Sequence, residues 1–364
     1  MSYARARLWL GITGVGTLVT LSALLLLFQL PQRFLLAQPA ALSVELRELF
    51  FVLVAYAAIS VPFDFFGGFV LPGEFGRSRE SFSAFFPRWL RGVVLHCGLL
   101  LGFGLLLLSA ARVGGTLLAL GVFCGLQIAL LILQPLLAAL LGGLRSHEKS
   151  LVSGGGHYLT GAITGLPGRE RVLIPAHWQE TLTPEQLHVV LLRKRGAIES
   201  GARTRGLLLA FGWNLAGFCL ALALTGGLAS VGQLVTVSLW FTLWSFLGVL
   251  LLPTPSQNGV FEADAYAFKN GASREVLESV IRQLDALQDD EPARSERVER
   301  IFHPLPSVER RLQRLGASHS GSGSGAWHGA RMALYFSWAG LSLLSRVVHC
   351  NAGRPDVWVF LPSD

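Results

Sequence analysis

Six apolar runs, at about residues 8–30, 49–71, 92–110, 115–142, 206–227 and 232–252, constrain this chain more than any other feature. Each is close to the roughly 20 residues that a helix needs to cross the hydrocarbon core of a bilayer. Lipid offers no partner to backbone N–H and C=O groups, so runs of this kind must be helices that satisfy themselves. The sequence predicts a mainly α, polytopic membrane protein with six transmembrane helices, or seven if a shorter run at 332–348 inserts. Charged residues make up only 15% of the 364 residues, against roughly 25% in soluble domains.

The net charge of +7 falls mostly between the runs. Arg77, Arg79, Arg88 and Arg91 sit in the connection 72–91, and the segment 143–205 is Arg-rich, whereas 111–114 and 228–231 carry almost no charge. The positive-inside rule then predicts a cytoplasmic N-terminus, 72–91 loop, 143–205 segment and C-terminal region. The excess is the loop bias of a membrane protein, and nucleic acid is not an expected partner. Basic residues are nearly all Arg, with Lys only at Lys149, Lys194 and Lys269, as in a GC-rich bacterial genome, and the expected location is a bacterial inner membrane. Arg5 and Arg7 precede an apolar run without a small-residue cleavage site, so the first run reads as a retained span. Cys97, Cys124, Cys219 and Cys350 have neither metal-ligand spacing nor a disulfide framework.

These boundaries divide the chain into a four-helix membrane region (1–142), the first part of a polar domain (143–205), a helix pair (206–252), the second part of that domain (253–316), a Gly/Ser linker (317–331) and a membrane-associated helix and tail (332–364). Residues 157–175 hold two β-type runs around a Pro-Gly turn and predict a hairpin. A helix follows, capped by Thr183 with Pro184 at its first position and with Leu187, Val190, Leu191 and Ile198 as its apolar stripe. A second helix is expected from about Phe261, a third at 273–289 capped by Ser273, and a strand at 357–361. Pro62 predicts a kink in the second span. Asp64 beside it should face a cavity or a partner rather than lipid.

Several patches, in this order, resemble membrane zinc metallopeptidases of the HtpX and CAAX prenyl protease 1 type. They are PFDFFGGFVLPGEFGRS (62–78), the hairpin, LTPEQLHVVL (182–191), VFEADAYAF (260–268) and HPLPSVERRLQRL (303–315). The last is similar to the family's H-P-…-R-I-x-x-L pattern. The resemblance implies a cytoplasmic α+β zincin-like domain with a small β-hairpin, and an aqueous chamber between the membrane helices near Asp64. In the family the 182–191 patch leads into H-E-x-x-H, where two His one helical turn apart bind zinc and the Glu activates water. A Glu four residues before the Asp of the next helix completes that site. Here the four positions are Arg193, Lys194, Ala197 and Val260. Arg has no free lone pair, and Ala and Val have no ligand atom. Neither zinc nor another cofactor is expected.

What replaces the metal has two readings. Asp264 lies one turn beyond Val260, so Arg193 or Lys194 can pair with Asp264 or Glu262 and fill the former metal site. Alternatively Arg193, Lys194 and Arg195 form a solvated basic patch near the headgroups. The resemblance further implies that the strand at His157, Tyr158, Leu159 and Thr160 can hold a peptide backbone by β-augmentation, against a plain capping hairpin. It also places His303 where the family stabilises the transition state, against a structural His. Three functions stay open. The first is a non-catalytic pseudoprotease in the bilayer that binds a peptide, a membrane protein or a lipid-modified ligand. The others are a working metalloendopeptidase with an unrecognised zinc site, and a structural or transport-related chamber. The oligomeric state is not readable.

Overall fold

The computed structural model describes residues 1–142, 144–147, 150–153, 161–287, 294–316 and 324–359. They form two compact units. The first contains Met1–Leu130, Phe211–Gly248 and Leu334–Trp358; the second contains Leu131–Ala210, Val249–Ala333 and Val359–Asp364.

Among the described residues, five helices are long and apolar enough to cross a membrane: Tyr3–Leu27, Leu42–Glu74, Phe82–Leu141, Ala202–Thr225 and Val231–Leu251. We label the chain's first helices α1 (Tyr3–Leu27), α2 (Leu30–Phe34), α3 (Leu42–Phe65), α4 (Leu71–Glu74) and α5 (Phe82–Gly142). Their outer faces carry bare hydrocarbon, including Phe51, Val113 and Leu117. The expected third and fourth runs lie in one 61-residue element, α5, broken where Gly115 has φ 65° and ψ −160°. That backbone state is essentially reserved for glycine, so the break is written into the sequence. In α3, Pro62 stays inside the helix and a π-helical turn, Phe66–Val70, follows it.

The C-terminal part departs from expectation. Residues 332–348 make neither a seventh span nor an interfacial helix. A short helix, Gly329–Phe336, passes through a 3-10 turn at Ser337–Gly340 into irregular backbone. Tyr335, Trp338, Val347 and Trp358 are buried in the first unit. Irregular backbone at membrane depth survives only when protein covers it. Here the cover is made by side chains of the helices. Tyr56 Oη donates to Leu343 O at 3.1 Å, Ser238 Oγ to Leu341 O at 2.6 Å, and Arg7 Nη2 to His349 O at 2.6 Å. Arg7, expected as a loop charge, is thus buried against the C-terminal segment. Glycine makes the approach possible: a Cβ at Gly68 would lie 2.2 Å from Gly353 O. The expected strand at 357–361 is a 3-10 turn over Pro355–Val357, and residues 360 and 361 lie outside the described residues.

In the second unit a four-stranded sheet runs β1-β2-β4-β3, with β1 Leu144–His147, β2 Ser150–Ser153, β3 Ala162–Thr164 and β4 Arg171–Pro175. The predicted hairpin is β3/β4, antiparallel with Ala162 opposite Leu173. Its first residues, 157–160, lie outside the described residues. Strand β2 adds parallel to β4 and β1 antiparallel to β2, a pair that the sequence reading did not anticipate because 144–153 lacks apolar alternation.

The helices that matter for function follow: α6 (Ala176–Thr181), α7 (Pro184–Glu199), α8 (Ala202–Thr225), α9 (Val231–Leu251), α10 (Pro253–Lys269), α11 (Arg274–Leu287), α12 (Glu296–Phe302) and α13 (Val308–Gly316). Thr183 and Gln186 form a full capping box that starts α7. Helix α10 begins eight residues before the expected Phe261, since Pro253 is tolerated at a first helical position. The amphipathic α11, capped by Ser273, buries Leu277, Val280, Ile281 and Leu284 against Trp178, Val189 and Val190. This core fixes α7 in place, and with it Arg193 and Lys194.

Candidate functional site

Helices α7 and α10 carry the residues singled out by sequence. Arg193 and Ala197 are one turn apart on α7; Val260 and Asp264 are one turn apart on α10. The facing turns bring Arg193 Nε to 2.6 Å from Asp264 Oδ1. Arg311 of α13 closes the group, donating from Nε to Oδ2 at 2.8 Å and from Nη2 to Oδ1 at 2.9 Å. All three side chains are nearly out of solvent, at 3%, 2% and 4% exposed for Arg193, Asp264 and Arg311. Sequence reasoning passed over Arg311. The available signal was its place as the Arg of the R-x-x-x-L end of the 303–315 patch.

The basic run 193–195 divides by helical rotation. Arg195 projects into solvent and pairs with Glu199 at 2.6 Å, so the solvated-patch reading describes this residue alone. Lys194 is only 1% exposed. Its Nζ lies 5.9 Å from the Trp178 ring centroid and 5.8 Å from that of Trp327, within cation–π range of both. Glu262 does not join the Arg193 group. It accepts from Arg205 Nη2 at 2.7 Å and from the Gly325 backbone N–H at 2.8 Å.

Ala197 and Val260 face an apolar cluster with Ile163, Ala202, Ala263, Leu305 and Trp327. Trp327 lies inside the 317–331 segment expected as a Gly/Ser linker, but its backbone is fastened into the helices. Ala326 N–H donates to Pro255 O at 2.9 Å and Trp327 N–H to Ala202 O at 3.1 Å. Arg205 Nε holds Gly325 O at 2.9 Å. Two glycines admit this strip: a Cβ at Gly206 would lie 2.1 Å from Trp327 O, and one at Gly259 would lie 2.4 Å from Trp327 N. The volume beside Ala197 and Val260 is therefore occupied by the chain itself.

His303 is buried at the C-terminal end of α12, with Arg294 Nη1 2.5 Å from Nδ1. Its carbonyl accepts from Gln257 Nε2 at 2.7 Å. Burial, then the charges of Arg294 and Arg331, hold its pKa well below the usual histidine value, so the ring is neutral. Since Arg only donates, Nδ1 is the accepting nitrogen. Asp64, in the first unit, is also fully engaged. It pairs with Arg346, accepts from Trp89 Nε1 at 3.0 Å and from Gly353 N–H at 3.1 Å. It meets partners in the protein, as an intramembrane carboxylate must. The suggested peptide-binding residues His157, Tyr158, Leu159 and Thr160 lie outside the described residues.

The donor set does not fit zinc. A tetrahedral site needs three or four N, S or O ligands with free lone pairs. Arg193, Lys194, Ala197 and Val260 supply none, both oxygens of Asp264 face guanidinium groups, and Glu262 is held by Arg205. Two guanidinium groups on one carboxylate leave a positive excess that repels a divalent cation. Among the described residues no three His, Cys, Asp or Glu side chains cluster as a metal site.

No protein-family model matches the chain, and no curated protein sequence matches it significantly. The crystal structure of S. mikatae Ste24p is similar in fold, with a TM-score of 0.65 at 14% identity over 76% of this chain and 76% of that one. At that identity the likeness concerns architecture, and it agrees with the resemblance carried by the sequence patches.

Proposed function

We propose that this chain is an integral membrane, metallopeptidase-like protein without peptidase chemistry, acting as a pseudoprotease that binds a peptide or a membrane-protein partner. The observation that carries this reading is Asp264 held between Arg193 and Arg311. Zinc peptidases need a metal-bound water and a general base. At the corresponding positions this chain has cations that cannot accept a proton and aliphatic side chains that bind nothing. A scaffold that keeps its fold while its reactive groups are replaced by an internal ion cluster acts through binding. We further propose six membrane crossings, with α5 contributing two across its Gly114/Gly115 break, and a bacterial inner membrane with the N-terminus and the zincin-like unit in the cytoplasm.

The test is the metal content of the purified full-length protein together with turnover of peptide substrates. The reading expects far less than one zinc per chain in a folded, monodisperse sample, and no cleavage. About one zinc per chain, removed by chelator with loss of a peptidase activity and restored by zinc, would overturn it.

A further inference from the structure

The first unit contains a pocket that the pseudoprotease reading does not use. It has a volume of about 440 Å³, within the range of about 300–1,000 Å³ typical of ligand sites. Its walls come from α1, α3, α5, α9 and the C-terminal segment, and include Leu18, Leu53, Leu101, Leu239 and Leu343. Three hydroxyl groups interrupt this hydrocarbon. Those of Tyr56 and Ser238 are committed to Leu343 O and Leu341 O. The third, Ser22 Oγ, is buried and has no hydrogen-bond partner among the described residues.

We propose that this pocket holds an acyl chain of an anionic phospholipid. A peptide is a poor occupant, because its backbone groups would find almost no partners among apolar walls. Water is poor for the same reason, since apolar cavities stay dry. A hydrocarbon chain meets both conditions, and an ester carbonyl can accept from Ser22 Oγ. The pocket is not fully enclosed, and two of its own lining residues, Phe34 and Ile59, are exposed. Bilayer hydrocarbon therefore reaches the mouth directly. Two exposed cations share helical turns with lining residues, Arg33 with Phe34 in α2 and Arg47 with Leu49 in α3. Nearby Glu48 accepts from Leu36 N–H, and Glu45 is paired with Arg112. Arg33 and Arg47 are placed to meet a negative headgroup, which selects an anionic phospholipid over a neutral one.

The experiment uses the full-length protein in phosphatidylcholine vesicles doped with phosphatidylglycerol carrying a diazirine in its acyl chain. After illumination, adducts are mapped by mass spectrometry. Labelling of Leu21, Leu25 and Leu53 should exceed that of the exposed mid-helix residues Val94 and Leu106 several-fold. It should fall to their level in L53W or, independently, L21W, with overall labelling unchanged. R33Q with R47Q should abolish the preference for phosphatidylglycerol over a diazirine phosphatidylcholine. Even labelling of pocket and exposed mid-helix residues would overturn the proposal. So would equal labelling by the neutral phospholipid in the unaltered protein, or preferential labelling by a diazirine fatty acid.

Discussion

Arg193 and Asp264 meet at 2.6 Å across two helices, both removed from water, although they are 71 positions apart in the chain. Neither charge is stable there alone. A buried pair broken from one side leaves an uncompensated ion, at a cost of about 3–5 kcal/mol. Replacing the whole group with apolar residues of similar volume removes that penalty.

Asp264→Ala should therefore destabilise the protein strongly, by about 3–5 kcal/mol, while leaving Arg193 and Arg311 as neighbouring buried cations. The triple variant R193M/D264L/R311M should recover most of the loss. Thermal unfolding in detergent, followed by circular dichroism, distinguishes the two. A D264A protein as stable as wild type would mean that the cluster is solvated and contributes nothing.

Trp327 gives a second prediction, in which sterics decide the sign. Alanine normally stabilises a helix by roughly 0.5–1 kcal/mol relative to glycine. At Gly259 and Gly206 the added methyl would collide with Trp327 backbone atoms at 2.4 Å and 2.1 Å. G259A and G206A should expel the 325–327 strip, and the Trp327 amide should lose hydrogen-exchange protection. Gly212 of α8 has open space around its Cβ position, so G212A should leave that amide protected and raise the melting temperature slightly. Equal protection in all three variants would contradict the seating of this strip.

How much of this was legible beforehand follows from the range of each interaction. The apolar runs were visible because hydropathy and length are local. The meeting of Arg193 with Asp264 was foreshadowed by two i,i+4 spacings and the family patches that align α7 with α10. The role of Trp327 was not, since only long-range packing carries a residue past a Gly/Ser stretch into the Ala197 and Val260 cluster. The C-terminal segment misled for a related reason. Its apolar content suggests insertion as a helix. Its Ser, Gly, Asn and Pro residues break that helix, and the partners that cover its backbone, Tyr56, Ser238 and Arg7, lie far away in sequence.

That burial implies a third prediction. Asp64 binds Arg346, Trp89 and Gly353 at once, so it ties the C-terminal segment to α3 and α5. Asp64→Ala should leave Arg346 without its carboxylate in a membrane-embedded unit, a loss of about 3–5 kcal/mol. D64A/R346L should be less damaged than D64A alone. The thermal midpoints of wild type, D64A, R346L and D64A/R346L test this as a double-mutant cycle. Simple additivity would argue that the contact is energetically silent.

The pH dependence of stability supplies the last test. His303 has a folded-state pKa lowered well below its ordinary value, first by burial and then by Arg294 and Arg331. A depressed histidine binds its proton more readily in the unfolded chain. Its contribution is therefore complete above the unfolded pKa of about 6.5 and is lost as pH falls below it. The slope for one proton is about 1.4 kcal/mol per pH unit. Glutamine keeps an acceptor for Arg294 but does not titrate in this range. H303Q should accordingly flatten the fall in thermal midpoint of the wild type between neutral pH and about pH 5, while differing little from it at pH 8. Parallel pH profiles for H303Q and wild type would show that His303 is not the group that senses acid.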